Sequence, residues 1–407
     1  MPYPPVRAAT PDATAGADRA TLLADELGRF PASLFQFDPR IRTGWLSDRY
    51  FIRSERTLRH AGRDPVVTMQ IFAKQHGLAV GLYESIRILQ TQHSTEYATP
   101  DLEVETLLEG EETSPWETVM TITGPYRAFA HLETPILGVL ARRSLIATNV
   151  RRTIEAAAGK PVIFMAPRHD DWRVQTPDGY AAQVGGARSV SSDAGGMWWG
   201  GQGVGTMPHA LIAAFGGDTV AATLAFTRYV RDEEPDVAII SLVDYNNDVI
   251  TDSLAVARAM RDEFGDRVLS AVRVDTSEKL IDRSLIEDPE AWGRETLTGV
   301  NPVLIRRLRD ALDAAGFGYV GIVVSGGLNP MKIRKFEEEG VPVVSYGVGS
   351  SLLGHNNGEH GLLSSFDYTA DVVEVDGQPE SKVGRKLRPN PRLVQLDWSR
   401  VTHGADV

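Results

Sequence analysis

From residue 160 onward, short apolar runs alternate with stretches whose apolar residues recur every three to four positions. The runs cover 161–166, 187–190, a stretch reaching Val204, 236–243, 268–274, 319–324 and 341–346. Helical spacing fills the intervals near 178–184, 208–214, 218–231, 251–264, 301–315 and 330–339. Strands this apolar are buried on both faces, which requires helices packed outside a parallel sheet. Six or seven such repeats predict an α/β fold built on a β/α barrel, irregular or incomplete. An open doubly wound sheet is the alternative.

The first third has a different texture. Strand-like patterns at 66–72, 102–109 and 117–123 are interspersed with helical patterns at 19–29, 54–62 and 82–91. Gly28 and Gly62 mark two of the helix ends, and a turn-rich connection spans 109–116. A long helix is expected from Leu132 to Ala157. This mixture predicts an α+β, sandwich-like domain. From Gly354 onward periodic segments are few, but Asp371-Val-Val-Glu-Val-Asp-Gly-Gln378 reads as a strand followed by an Asp-Gly turn. It is expected to return to the first domain. The expected organisation is thus a flexible tail at 1–20, an α+β domain from 21–145 with 355–407, and a barrel domain at 146–354.

Composition narrows the chemistry. With 407 residues, 42% hydrophobic and 24% charged, the chain has the make-up of a soluble protein of two or three domains. A net charge of −12 argues against nucleic acid or an anionic membrane surface as partner. The absence of cysteine removes disulfides, cysteine-ligated zinc and a thiol nucleophile. The N-terminus has no apolar signal-peptide core and no apolar run has membrane-spanning length, so a cytoplasmic location is expected.

In a barrel, reactive groups stand at the carboxyl ends of the strands. Those positions are Pro167-Arg168-His169, Ser191, Gly205-Thr206 with His209 beyond, Asp244 to Asp248, Arg273 with Asp275, Ser325-Gly326-Gly327 and Gly347-Val-Gly349. Two glycine-rich loops after the last two strands suit a phosphate held by backbone N–H groups. Gly203-Val-Gly-Thr-Met-Pro-His-Ala-Leu-Ile212 reads as a strand end, a tight turn and a helix start. It places His209 where it can move a proton or act as a nucleophile, or serve only as a turn residue satisfied by backbone. Asp244, Asp248 and Asp275 offer oxygen ligands for Mg²⁺ or ribose hydroxyls, but Asp after a strand also caps helices. Arg273, inside an apolar run, needs a carboxylate or a phosphate, and Asp275 lies on the same side of the strand.

Taken together, these stretches resemble the nicotinate phosphoribosyltransferase family, in its shorter, archaeal-like branch. The resemblance rests on Ser47-Asp-Arg-Tyr-Phe51, Pro167-Arg-His169, Ala181-Ala-Gln-Val-Gly-Gly186 with Ser191, Gly205-Thr-Met-Pro-His-Ala-Leu-Ile212 and Leu242-Val-Asp-Tyr-Asn-Asn-Asp248. It continues through Val272-Arg-Val-Asp-Thr276, Val324-Ser-Gly-Gly-Leu328, Tyr346-Gly-Val-Gly349 and Val373-Glu-Val-Asp-Gly377. It implies transfer of a phosphoribosyl group from phosphoribosyl pyrophosphate (PRPP) to nicotinate in NAD synthesis, with Mg²⁺, ATP as co-substrate and a shared-site homodimer. By the same resemblance His209 becomes a phosphohistidine and Arg168 meets PRPP and the pyridine carboxylate. Arg273 and Asp275 hold the ribose phosphate, and Ser325, Gly326, Gly327, Gly347 and Gly349 surround the 5′-phosphate. Thr206 adjoins them, and Tyr50 covers the pyridine from a neighbouring subunit. Ser191, where nicotinamide-using relatives carry Asp, and the charge of Arg188 favour an acid. The chain departs from the family at Met165, in place of a stacking aromatic, at His169, in place of a second arginine, and at Arg188-Ser189, in place of Asp-Gly. The alternatives are a quinolinate or nicotinamide phosphoribosyltransferase, or a non-catalytic phosphoribosyl-binding protein.

Overall fold

The computed structural model describes residues 19–98, 101–286, 297–355 and 358–401. Most of the expected tail lies outside the described residues, and the first helix, Arg19–Gly28, begins within its last two positions. Two six-stranded sheets form the body.

The first sheet is antiparallel. Its order is Gln378–Pro379, Tyr368–Val375, Val66–Ala73, Thr118–Pro125, Glu103–Thr106, Val394–Gln395. The central strand Val66–Ala73 pairs Val67 with Val375 on one side and with Gly124 on the other. The Asp-Gly turn turns the chain back as its composition suggested: Asp376 and Gly377 have φ of 49° and 73°, the left-handed pair a tight hairpin needs. The last strands of the chain therefore occupy both edges of this sheet.

The second sheet is parallel, in the order Ser189–Val190, Val162–Phe164, Ser345–Val348, Gly321–Val324, Leu269–Val274, Ile239–Leu242. Its strands are lined with buried valine, isoleucine and leucine, and helices Thr219–Glu233, Val249–Phe264, Pro302–Ala314 and Pro330–Glu338 cross between them. The incomplete barrel is thus the architecture adopted. The run reaching Val204 contributes only an isolated bridge between Val190 and Gly203, so it adds no full strand. The strand expected at 341–346 lies at Ser345–Val348. Pro342 has no N–H to donate, and Val343 N–H turns back to the Val341 carbonyl (2.8 Å) before the ladder starts. The helix expected at 54–62 is Arg49–His60, which puts Tyr50 in its first turn. The 109–116 connection holds a short strand, Glu112–Thr113, paired with Gly77–Leu78.

Helix Glu133–Ala156 lies between the two layers. Its second half is buried almost all round, including Ser144, Thr148 and Asn149. Each of these polar groups is used. Leu78 N–H donates to Thr148 Oγ1 (2.9 Å) and Val80 N–H to Ser144 Oγ (3.0 Å). Asn149 Nδ2 donates to the carbonyls of Leu352 (3.2 Å) and Leu363 (3.0 Å), and its Oδ1 accepts from Leu363 N–H (2.8 Å). No helix among the described residues is long and apolar enough to cross a membrane.

Replacing Asn149 by Ala leaves two buried carbonyls and one N–H without this partner. The expected loss is about 2 kcal/mol or more of stability, read as a lower denaturant midpoint. An unchanged midpoint would show that water replaces the amide at no cost.

Candidate active site

The carboxyl ends of the parallel strands open onto a single cavity of about 670 Å³. Met165, Pro167, Arg168 and His169 follow Val162–Phe164, and Ser191 follows Ser189–Val190. Asp275 follows Leu269–Val274, which itself carries Arg273. Ser325, Gly326 and Gly327 follow Gly321–Val324, and Gly347 and Gly349 close Ser345–Val348. Thr206 and His209 complete the wall. Every expected catalytic or substrate-contacting residue but Tyr50 therefore lines one space.

The Gly203–Ile212 stretch is fixed to the rim by Met207. Its side chain is fully buried with Ile212, Ala222 and Leu242 in a small core of its own. Its sulfur meets the Thr223 hydroxyl at 3.4 Å. Asp193 Oδ1 accepts from Gly203 N–H (2.8 Å) and holds the other end. Between these anchors Thr206 and His209 face the cavity. His209 opens helix His209–Ala214, as expected.

His209 Nε2 lies 3.1 Å from Asp244 Oδ1. The Asp244 side chain is nearly buried, at 5% exposure, and the hydrogen bond its carboxylate accepts raises the imidazole pKa against an opposing effect of burial. With Nε2 turned to the carboxylate, Nδ1 is the nitrogen available to a second group.

Arg273 is the buried cation. Nη1 donates to Ser325 Oγ (3.4 Å), Nη2 to the Met207 carbonyl (3.3 Å), and Asp275 Oδ2 stands 3.6 Å from Nη1. Ser325 Oγ donates in turn to Asp275 Oδ1 (2.9 Å). Burial lowers the Arg273 pKa, and its Nε has no hydrogen-bond partner. Arg168, by contrast, is exposed, and no carboxylate pairs with it among the described residues. One arginine is held rigidly and the other is available.

The glycines are needed where they stand. Gly326 has φ of 84°, and a Cβ there would sit 2.9 Å from Asp275 Oδ1. At Gly347 a Cβ would lie 2.7 Å from Met165 Sδ. Side chains there would push into the carboxylate and the thioether that shape the floor.

Several expected residues take other places. Tyr50 is 59% exposed on helix Arg49–His60 and does not line its own chain's cavity. Arg188 is exposed and also outside it. Asp248 takes the capping role: its Oδ1 accepts from Thr251 N–H (3.2 Å) at the start of Val249–Phe264. Asp244 is engaged by His209. Neither lines the cavity, and among the described residues no group of three His, Asp or Glu converges on a metal position. His360 lines the cavity although the sequence offered no reason to include it. It arrives through a left-handed residue (φ 59°) in a stretch without periodicity.

The Asp244 contact holds His209 protonated to higher pH than an ordinary imidazole. Its contribution is fully present below pH 6.5 and is lost as pH rises through the elevated folded-state value. An NMR titration should therefore place His209 above 6.5. Asp244→Asn should bring the value down, and an unshifted titration would contradict the contact.

Comparison with known proteins gives a consistent assignment. Residues 48–144 match the family "Quinolinate phosphoribosyl transferase, N-terminal domain". A nicotinate phosphoribosyltransferase of Mycobacterium tuberculosis is 31% identical over 299 residues, 72% of this chain. The aligned region spans 58% of that relative's length. Among solved structures, a nicotinate-nucleotide pyrophosphorylase of Pyrococcus furiosus superposes with a TM-score of 0.71 at 29% identity, over 87% of this chain and 81% of that one. Human nicotinic acid phosphoribosyltransferase shares the fold, with a TM-score of 0.61 at 19% identity over 84% and 77%. With the half-barrel, the antiparallel sheet and the cavity already described, these likenesses show that the chain has the fold of these phosphoribosyltransferases and is similar in sequence to nicotinate phosphoribosyltransferases.

Proposed function

We propose that this chain joins nicotinate to PRPP, releasing pyrophosphate and nicotinate mononucleotide for NAD synthesis, with ATP hydrolysis coupled through His209. The observation that carries the reading is the convergence of two arginines, two glycine loops and His209, backed by Asp244, on one cavity.

In this reading the pyridine nitrogen attacks the anomeric carbon while the bond to the pyrophosphate oxygen breaks. Positive charge develops on the ribose and negative charge on the leaving group. Arg168, exposed and without a carboxylate, meets the leaving diphosphate and the nicotinate carboxylate. Arg273 is pre-oriented by Ser325 and Met207, and with Asp275 it holds the ribose side while the glycine loops donate N–H groups to the 5′-phosphate. Ser191 leaves room for a carboxylate that Asp would repel. Met165 packs beside the pyridine without stacking. Mg²⁺ arrives with the diphosphate substrate rather than in a protein site. For ATP coupling, His209 Nδ1 attacks the γ-phosphorus, a P–N bond forms, and the bond to the ADP oxygen breaks. Asp244 keeps the proton on Nε2. The exposure of Tyr50 on its own chain supports its use in the cavity of a second copy, hence a homodimer.

The test incubates the protein with PRPP and Mg²⁺ and with nicotinate, quinolinate or nicotinamide, each with and without ATP. Nicotinate mononucleotide should form from nicotinate, faster with ATP. His209→Ala should lose ATP hydrolysis and ATP stimulation while retaining slow synthesis. Arg168→Ala should lower kcat/KM by about 100-fold. Product from quinolinate alone, or PRPP binding without turnover, would overturn the reading.

A further inference from the structure

The turn that carries Arg168 is held from behind. Pro167–His169 is a single 3₁₀ turn with no buried residue and no side-chain cap. In front it faces the main cavity. Behind it lies a second, very small cavity of about 10 Å³, lined in part by Ala166, Pro167, Asp170 and Asp178. The turn thus meets helix Gln175–Val184 across a void no larger than a single water. A guanidinium spans the gap. Arg142, on helix Glu133–Ala156, places Nη2 2.6 Å from Asp170 Oδ2 and 2.7 Å from Asp178 Oδ2, while its Nε donates to Asp178 Oδ1 (3.1 Å).

The two carboxylates differ. Asp178 is almost fully buried, with 4% of its side chain exposed, whereas that of Asp170 is 30% exposed. Asp178 is the fixed end: it is bound through two atoms of Arg142, and Arg143 Nη1 stands 4.0 Å away, itself tied to Glu84 (3.0 Å). Asp170 is the more exposed end and directly follows Arg168 and His169. A planar fork bound bidentately on one side fixes the direction in which it grips the other.

We propose that Arg142 is a positioning residue: by bridging Asp178 to Asp170 it sets where Arg168 and His169 stand, and so the affinity of the cavity for a diphosphate. The role rests on reading the cavity as a phosphoribosyl site. It links the helix between the two layers to the leaving-group side of the cavity. Lysine, with one compact charge, cannot reproduce the double contact.

The test compares wild type with Asp170→Asn, Arg142→Lys and Arg142→Ala. Arg142→Ala leaves Asp178 with only the more distant Arg143 and can fail to fold, so Asp170→Asn, which keeps the buried pair intact, is the decisive variant. Pyrophosphate affinity is measured by calorimetry, and amide exchange is followed at residues 167–171. Asp170→Asn should weaken pyrophosphate about tenfold and raise exchange in the turn, with the thermal midpoint nearly unchanged. In turnover, KM for PRPP should rise more than kcat falls. In an Arg168→Ala background the effect of Asp170→Asn on pyrophosphate should disappear, because Arg142 acts through Arg168. Wild-type affinity and exchange in Asp170→Asn would overturn the proposal, as would an undiminished effect in the Arg168→Ala background. Pyrophosphate binding without turnover of nicotinate would instead count against the proposed reaction and leave the clamp testable by binding and exchange.

Discussion

The structure depends on burying a helix that is not apolar. Glu133–Ala156 places Arg143, Ser144, Thr148, Asn149 and Thr153 in the interior. Left without partners, each would cost a large share of a protein's marginal stability. Thr153 donates to the Asn149 carbonyl of the same helix, but the other partners come from separate parts of the fold: backbone N–H groups in and beside the short strand Gly77–Leu78, carbonyls of the segment after the half-barrel, and Glu84 on the earlier helix Leu82–Gln92. The polar groups thus specify how the two sheets sit on the helix, where apolar contacts alone would tolerate sliding.

The same economy of partners governs the cavity. Arg273 sits in a nearly closed set of contacts, with Ser325, Asp275 and the Met207 carbonyl at its tip. Asp244 and His209 satisfy one another close by. The field inside the cavity is therefore largely fixed before any ligand arrives, which is the condition under which charged groups act most strongly on a reacting centre. The adjustable elements are the exposed Arg168 and His169, the latter with a pKa lowered by its partial burial and then by the neighbouring Arg168.

How much of this the sequence discloses follows from the range of each interaction. The parallel strands are legible because valine and isoleucine cluster in runs whose period is set locally. Their ends are less so: the strand expected at 341–346 shifts because pairing, not composition, decides where a ladder begins. Strand-end residues converge because the barrel rule places them without knowledge of the contacts. His209 was visible as a candidate, whereas its Asp244 partner was read only as a ligand or a cap. Asp248 had both roles open and takes the cap. His360 and the Arg142–Asp170–Asp178 bridge were invisible, since their chemistry exists only after distant segments meet. Tyr50 lies away from its own cavity, and no pattern along a single chain reports what a second copy does.

The antiparallel sheet carries a further consequence. Its central strand, Val66–Ala73, is made some 300 residues before its neighbour on one side, Tyr368–Val375, and Val394–Gln395 closes the far edge. Until Tyr368–Val375 and Val394–Gln395 have been made, the early strands keep unpaired N–H and C=O groups along open edges, the feature that invites pairing with other chains. Closure across some 300 residues is also slow relative to local folding. The half-barrel, whose strands pair mostly with near neighbours in sequence, can order first and offer a surface on which the late strands find the early ones. Newly made chains thus pass through a window in which one domain waits for its own end, and in that window exposure to chaperones or to other copies decides the yield of folded protein.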